Sequence, residues 1–433
     1  MTDARVDPVP RWAFGALSLS LLVLGAAAGV PAPLYVVYQH EYGILPSGLT
    51  GAFAIYILPL AGALLVCGRL SDHLGRRPVA VVALLLDSVA CGVFTQVDST
   101  GVLLLARSIQ GLATGLGLTA IAAFVIDLGP ARCPGLAGAV TGAAAPGGLA
   151  AGALVSGALV AHGPAPLVLV YVVFAALLGL AAVAVVLAPE RASRTPGALR
   201  SLRPSVRVPD GAYPLFATAC LCFIASWALA GYYQALGPSV AAGVLGATSP
   251  LAGGLVLAAL TGTSGVTGLA VSGVGHDRAM LGGLAALLLG VLGVVGSLAA
   301  GLTAGFFAAT VVAGAGFGAS FTGAMRWVLA GRSAAERTGL LAAVYLVSYL
   351  GSAVPSYLVG LTVPAWGLLG STAAYGGLVA LLALTSAAAA VLLRRRTRRQ
   401  AWASPGSGSA GRGPVANDSR SPGAGAGPTM RRQ

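Results

Sequence analysis

The sequence predicts an all-α membrane protein: twelve transmembrane helices in two pseudo-symmetric six-helix bundles, with both termini cytoplasmic. Three observations carry that expectation. Of 433 residues, 57% are hydrophobic and only 9% are charged, whereas a soluble domain carries about 25% charged residues. Apolar runs long enough to cross a bilayer, ~20 residues each, recur along the whole chain. The 25 basic residues are all arginine and fall almost entirely in the gaps between those runs.

The apolar runs lie at 12–38, 48–67, 78–97, 101–127, 135–161 and 166–188, then at 213–238, 250–271, 279–299, 301–325, 338–362 and 369–393. The first is too long for a signal-peptide core and reads as a retained helix. The 63 glycines suit helices that must approach closely in lipid, where no hydrophobic effect draws them together. Orientation follows from arginine. With the N-terminus inside, every basic gap is cytoplasmic: Arg5 and Arg11; Arg69, Arg76 and Arg77; Arg132; Arg191 to Arg207; Arg278; and Arg326, Arg332 and Arg337. The intervening outer gaps hold His40, Glu41, Asp98 and His162 and no arginine, the bias that fixes topology.

These runs divide the chain into an N-terminal six-helix half, 1–188, a cytoplasmic linker, 189–212, a C-terminal half, 213–393, and a tail, 394–433. The tail is Arg, Gly, Ser and Pro with few apolar residues and is expected to be unstructured. Its opening Arg394, Arg395, Arg396, Arg398 and Arg399 would lie against anionic inner-leaflet lipids. A net charge of +13 could mark a nucleic-acid partner, but charge placed in loops and tail is a topology signal instead. Arginine without lysine in an Ala, Gly, Leu and Val background resembles, by association, the coding bias of a GC-rich bacterium, and the expected location is a bacterial inner membrane. Cys67, Cys91, Cys133, Cys220 and Cys222 have neither metal-ligand nor redox spacing and read as small apolar fillers.

The two halves echo each other. Gly68 and Gly75 correspond to Gly268 and Gly275, Gly115 and Gly117 to Gly316 and Gly318, Gly142 and Pro146 to Gly351 and Pro355, and Pro31 to Pro238. Duplicated halves are how many carriers hold a midplane site and expose it alternately to each side. The loop Gly68-Arg69-Leu70-Ser71-Asp72-His73-Leu74-Gly75-Arg76-Arg77 resembles the signature between helices two and three of the major facilitator superfamily, Gly-x-x-x-Asp-x-x-Gly-Arg-Arg/Lys. Arg107-Ser108-Ile109-Gln110-Gly111 resembles that family's fourth-helix motif. Gly142 to Gly148, ending Pro146-Gly147-Gly148, resembles the fifth-helix motif of its efflux members, with Ala145 where glycine usually precedes the proline. The whole is similar to the drug and metabolite proton-antiporter branch of bacteria.

The resemblance implies a latch at Gly68, Asp72, Gly75, Arg76 and Arg77, completed by Asp127 at the cytoplasmic end of the fourth helix, holding the halves in the outward-facing state. Ser272 stands where Asp72 stands, which implies a weaker latch in the second half. It implies a hinge at Gly142, Pro146, Gly147 and Gly148. Read physically, Arg107 shares one helix face with Gln110, Gly111 and Thr114 at i+3, i+4 and i+7. An arginine within a span must face protein or water; it either snorkels to the outer surface, holds an anionic substrate group, or tunes a nearby carboxylate. Asp87 is the only carboxylate near the middle of a span. It can bind and release protons or serve as a hydrogen-bonded structural residue, and the family's third helix is usually peripheral. Trp227, Tyr232, Tyr233 and Gln234 on the seventh helix, and Tyr345, Ser348, Tyr349 and Ser352 on one face of the eleventh, are candidate cavity lining. For Tyr232 and Tyr233 an interfacial aromatic belt is the preferred account.

The expected function is a secondary carrier of a small organic solute by alternating access, with proton-coupled efflux preferred to proton-coupled import of an organic acid or sugar. A membrane-embedded enzyme needs clustered His, acid or Ser/His groups at one depth, and the four histidines here lie in or near loops. The expected partners are a small-molecule substrate, protons and the lipid bilayer. No nucleic acid, metal or cofactor is expected, and the carrier is read as a monomer.

Overall fold

The computed structural model of the protein describes residues 10–130, 132–190, 206–209 and 211–403. Met1–Ala390 is one compact unit; Val391–Gln433, described as far as its helical stretch to Ala403, is a second. The described residues hold α-helices and one short 3-10 turn. In chain order the helices are α1 (Arg11–Gly29), α2 (Pro31–Tyr42), α3 (Pro46–Cys67), α4 (Leu70–Leu74), α5 (Arg76–Phe94), α6 (Thr100–Asp127), α7 (Pro134–His162) and α8 (Pro166–Leu187). There follow α9 (Tyr213–Ala235), α10 (Gly237–Leu245), α11 (Pro250–Ala270), the 3-10 turn Val271–Gly273, α12 (His276–Ala299), α13 (Thr303–Leu329) and α14 (Ala334–Ala403).

Among the described residues, 11 helical segments are long and apolar enough to cross a membrane. The first and seventh expected spans are each two helices. Pro31, lacking the N–H that would continue the ladder, opens α2, and Pro238 is the second residue of α10. The correspondence read between these prolines is thus a shared break. The two last expected spans are one run of helix, Gly339–Arg395, of 57 residues. At Gly367 the backbone leaves the helix, with φ 67° and ψ 174°, a conformation that favours glycine. The basic tail expected to be unstructured from residue 394 is helical as far as Ala403; residues 404–433 lie outside the described ones, as do Arg5 and most of the linker with Arg191, Arg194, Arg200 and Arg203. A capping box opens α14: the Ser333 hydroxyl and N–H both donate to the Glu336 carboxylate, at 2.8 and 2.9 Å. The Ser333 backbone N–H first, then its hydroxyl, holds the Glu336 carboxyl below its usual range.

Two hydrophobic clusters form the core. One is built entirely from residues of α1 to α8 and their connections; the other joins α9 to α14 and takes in Ala28, Ala32, Phe53, Tyr56, Ile57, Leu60, Ala61 and Ala153 from the first set. The two sets of helices meet closely at the end without arginine. There a Cβ on Gly157 would lie 2.7 Å from the Pro250 carbonyl oxygen, one on Gly253 would lie 3.5 Å from Pro33 Cα, and one on Gly360 would collide with Thr50. The Ser239 hydroxyl donates to Gln39 Oε1 at 2.7 Å across the same seam.

Candidate functional site

α6 is the element that organises the first half, and its glycines explain how. A Cβ on Gly111 would run into the Tyr56 carbonyl of α3, and one on Gly115 would lie 2.6 Å from the Leu60 carbonyl oxygen. That close packing carries Arg107, one turn earlier, into the protein rather than toward lipid. Arg107 is fully buried. Its Nε and Nη2 donate to the Tyr35 hydroxyl at 2.8 and 2.6 Å, and its Nη1 donates to Gln110 Oε1 at 2.8 Å and to the Ala28 carbonyl at 3.4 Å. Tyr35 and Tyr56 hold their rings against the guanidinium, with centroids 5.5 and 5.1 Å from Cζ. Gln110 Nε2 in turn donates to the Ala27 carbonyl at 3.0 Å, and Thr114 Oγ1 donates to the Gln110 carbonyl at 2.8 Å. The polar face Arg107, Gln110, Gly111, Thr114 is therefore real, and snorkelling to the surface is ruled out by geometry. With its fork spent on Tyr35, Gln110 and Ala28, Arg107 is held as an internal charge.

Asp87 supplies the opposite charge. α5 exposes Val82, Leu85 and Val89 and turns Ala80, Ala83, Leu84, Asp87 and Cys91 inward. The helix is peripheral, as the resemblance implies, yet its carboxylate points into the bundle. Asp87 is fully buried and neither of its carboxylate oxygens has a hydrogen-bond partner. The Gln110 amide and the Arg107 guanidinium lie within its electrostatic reach without meeting hydrogen-bond geometry. Leaving a buried polar group unsatisfied costs about 1–3 kcal/mol.

At the arginine-rich end, Gly75 takes φ 103° and ψ 151°, which lets α5 begin directly after α4. Arg76 then bonds Asp72, the Ser71 hydroxyl at 2.8 Å and Asp127 Oδ2 at 3.1 Å. The Arg76–Asp127 pair expected from sequence is formed. Arg77 turns the other way: its backbone N–H donates to Glu190 at 3.2 Å and its Nη2 to the Ala188 carbonyl at 2.5 Å. These partners of Arg76 and Arg77 belong to the first half, except Glu190, which opens the linker. In the second half, Arg326 of α13 donates Nη1 to the Val271 and Val274 carbonyls at 3.1 and 2.8 Å, so an arginine on main-chain oxygens stands where the first half uses ion pairs.

The second-half candidates divide. Trp227 meets Tyr349 edge-on at a centroid distance of 4.9 Å, and Tyr345 lies 6.1 Å from Tyr349. Ser348 and Ser352 are buried beside them, while Gln234, two turns on from Trp227, is only half-buried. Tyr232 and Tyr233 form no interfacial belt: both are buried, Tyr232 bonded to Thr372 and Tyr233 to Thr310 at 2.8 Å. In α7, Gly142 and Gly147 face open space, Gly148 closes on α1 with its Cβ position 2.6 Å from the Leu22 carbonyl oxygen, and Pro146 sits inside an unbroken helix.

The internal repeat survives with a corrected register. Gly111 and Gly115 lie on Tyr56 and Leu60 of α3; it is Gly314 and Gly318 that lie on Leu260 and Ser264 of α11. Gly115 therefore matches Gly318, not Gly316. In this register Arg107 matches Thr310, which bonds Tyr233 of α9, before the proline break, whereas Arg107 bonds Tyr35 of α2, after it. Tyr35, Tyr56, Glu190 and Gln39 were not singled out by sequence. Apart from the i, i+3 pair Tyr35 and Tyr38 in α2, nothing local marks them, because each acts through a partner far along the chain.

A family model described as Major Facilitator Superfamily matches residues 17–354. With this fold and these motifs, the chain belongs to that superfamily, and it is a multi-pass protein of the bacterial inner membrane. Among curated relatives, the multidrug resistance protein MdtL of Klebsiella pneumoniae subsp. pneumoniae is 39% identical over 76 residues, 18% of this chain and 19% of that protein. The inner membrane transport protein YnfM of Escherichia coli is 37% identical over 81 residues, 19% of each. The aligned stretches thus span about a fifth of these relatives. Two solved structures share the fold: a partially occluded inward-open xylose transporter XylE from E. coli, with TM-score 0.64, 16% identity and coverage of 86% of this chain and 95% of that one, and a mutant of the nucleoside transporter NupG, with TM-score 0.65, 14% identity and coverage of 87% and 99%.

Proposed function

We propose that this transporter exports a small organic solute in exchange for protons, by alternating access, and that Asp87 carries the proton. One observation bears most of the weight: a buried carboxylate that meets no hydrogen-bond geometry, within the electrostatic influence of Gln110 and of a fully buried arginine. Such a group is tolerable where its charge changes during the cycle. Arg107 is the positioning partner whose charge stabilises the carboxylate when the proton has left. The chain crosses the membrane twelve times: α1 with α2 and α9 with α10 make one crossing each, and α14 makes two, parted at Gly367. The arginine-rich end faces the cytoplasm, so the seam closed by Gln39 and Ser239 is the outer one and the state described is open inward. The similarity of a stretch of the chain to a multidrug resistance protein favours efflux over uptake.

The test separates coupling from solute movement. In proteoliposomes Asp87→Asn is expected to lose transport driven by a pH gradient and to keep solute counterflow at equal pH, because exchange moves no net proton. Gradient-driven flux equal to that of the native protein would reduce Asp87 to a packing residue.

A further inference from the structure

Among the described residues of the second half, four buried side-chain polar atoms lack partners; one is Arg332 Nε, and the other three lie on facing stretches of α9 and α14. Trp227 Nε1, Ser348 Oγ and Ser352 Oγ have no hydrogen-bond partner, and Ser348 and Ser352 are 0% and 1% exposed. All three belong to the contact between α9 and α14. A Cβ on Gly231, one turn beyond Trp227, would collide with the Ser352 hydroxyl and lie 2.9 Å from Phe53 of α3. Tyr349, beside Ser348 in sequence, packs edge-on against Trp227 at 4.9 Å. The cluster therefore sits where the two halves meet, and aromatic surface leads into it: Tyr345 is 37% exposed and Trp227 is partly exposed.

Three orphaned donors in one place are costly in a finished core, at about 1–3 kcal/mol each. Their side chains fix what would relieve that cost. An indole N–H can only donate, so it requires an acceptor; a serine hydroxyl donates or accepts. The flanking rings offer faces and edges to another ring. Charge is missing on this side: the spans of the second half contain no Asp, Glu or Arg between Met280 and Met325 or between Gly339 and Leu393, nor between Tyr213 and Gly275. The nearest cation described inside a span, Arg107, already places four of its five N–H donors on Tyr35, Gln110 and Ala28.

We infer that Trp227, Ser348 and Ser352, roofed by Tyr349, form the recognition half of the substrate site, and that it takes an uncharged planar aromatic solute bearing a carbonyl or similar acceptor. The acceptor receives the Trp227 Nε1 hydrogen, the two serines bond an adjacent amide or hydroxyl, and the ring packs on Tyr349 and Tyr345. This rests on the exporter reading but is separable from it, because binding at equilibrium needs no gradient.

The experiment uses three probes with one ring and different charge: 1-naphthamide, 1-naphthoate and 1-naphthylmethylammonium. Each is titrated into the detergent-solubilised full chain by calorimetry at neutral pH. Binding of the amide in preference to both ions is expected. Trp227→Phe, which keeps a ring and removes the donor, is expected to weaken the amide about three- to tenfold, the range of one hydrogen bond. Ser348→Ala combined with Ser352→Ala is expected to weaken it again, with unfolding temperatures checked for each variant. Binding of none of the three probes, preference for either ion, or unchanged amide affinity in Trp227→Phe overturns the assignment. None of those results bears on whether Asp87 couples flux to protons, which the proteoliposome measurement decides.

Discussion

At the scale of single residues, Arg107 shows how a charge is kept inside a membrane protein. Removing the guanidinium from water costs several kcal/mol on most scales. The cost is offset by four hydrogen bonds and two aromatic faces, none of them from a carboxylate. Arg107→Lys keeps the charge but gives up the planar fork that reaches Tyr35 twice and Gln110 once. It is expected to transport no better than Arg107→Ala. Tyr35→Phe, which removes the shared acceptor, is expected to destabilise the fold by about 2 kcal/mol, read by denaturant unfolding in detergent micelles. Wild-type flux in Arg107→Lys would mean that charge alone suffices and that the geometry around Tyr35 is incidental. Sequence made the need legible, since an arginine amid apolar residues with Gln110 three positions on has to face inward. It could not supply Tyr35, which lies 72 residues away, or choose between holding a substrate and positioning Asp87.

At the scale of elements, glycine serves two purposes that composition alone does not separate. Gly111 is a contact: its missing Cβ is the space in which the Tyr56 backbone lies. Gly142 is free: nothing approaches its Cβ position within 4 Å. Gly111→Ala is expected to cost about 1–3 kcal/mol through overpacking. Gly142→Ala is expected to gain about 0.5–1 kcal/mol through helix propensity. If α7 flexes at Gly142 and Pro146 during the cycle, that same gain comes with slower turnover. Unchanged turnover in a stabilised Gly142→Ala leaves the hinge without support at that residue. The repeat register illustrates the same point. Matching glycines by motif paired Gly115 with Gly316, whereas matching them by the helix they touch pairs Gly115 with Gly318. In a chain with 63 glycines, spacing has too many coincidences, and only packing partners distinguish them.

The loop between α3 and α5 was the most legible element, because Gly75 must adopt a positive φ and Arg76 must find an acid. Its partners Asp72 and Asp127 both lie in the first half, so here the arginine fixes the start of α5 against the end of α6. Arg76→Ala is expected to leave insertion and abundance near normal while lowering turnover, since it loosens a joint rather than the core. Equal transport at equal expression would leave the loop as a topology signal only.

At the scale of the whole molecule, the arginine bias, the two hydrophobic clusters and the seam describe one device. Two helix sets cannot both remain joined at the arginine-free end and expose their interface there. Alternating access requires that the Gln39–Ser239 contact, 2.7 Å in the state described, be broken once per cycle. Spans and orientation signal were readable from hydropathy and arginine because lipid imposes them directly. The seam was not, because Gln39 and Ser239 are unremarkable until the fold places them face to face. Cysteines at both positions, Gln39→Cys and Ser239→Cys, in a chain whose five native cysteines are replaced, make the requirement measurable. A membrane-impermeant, reducible bifunctional reagent added to intact cells is expected to link the pair, to stop transport, and to release it on reduction. Linkage obtained only in inverted vesicles would reverse the orientation. Full transport by the linked protein would show that the arginine-free ends of α2 and α10 need not separate, and that solute leaves by another route.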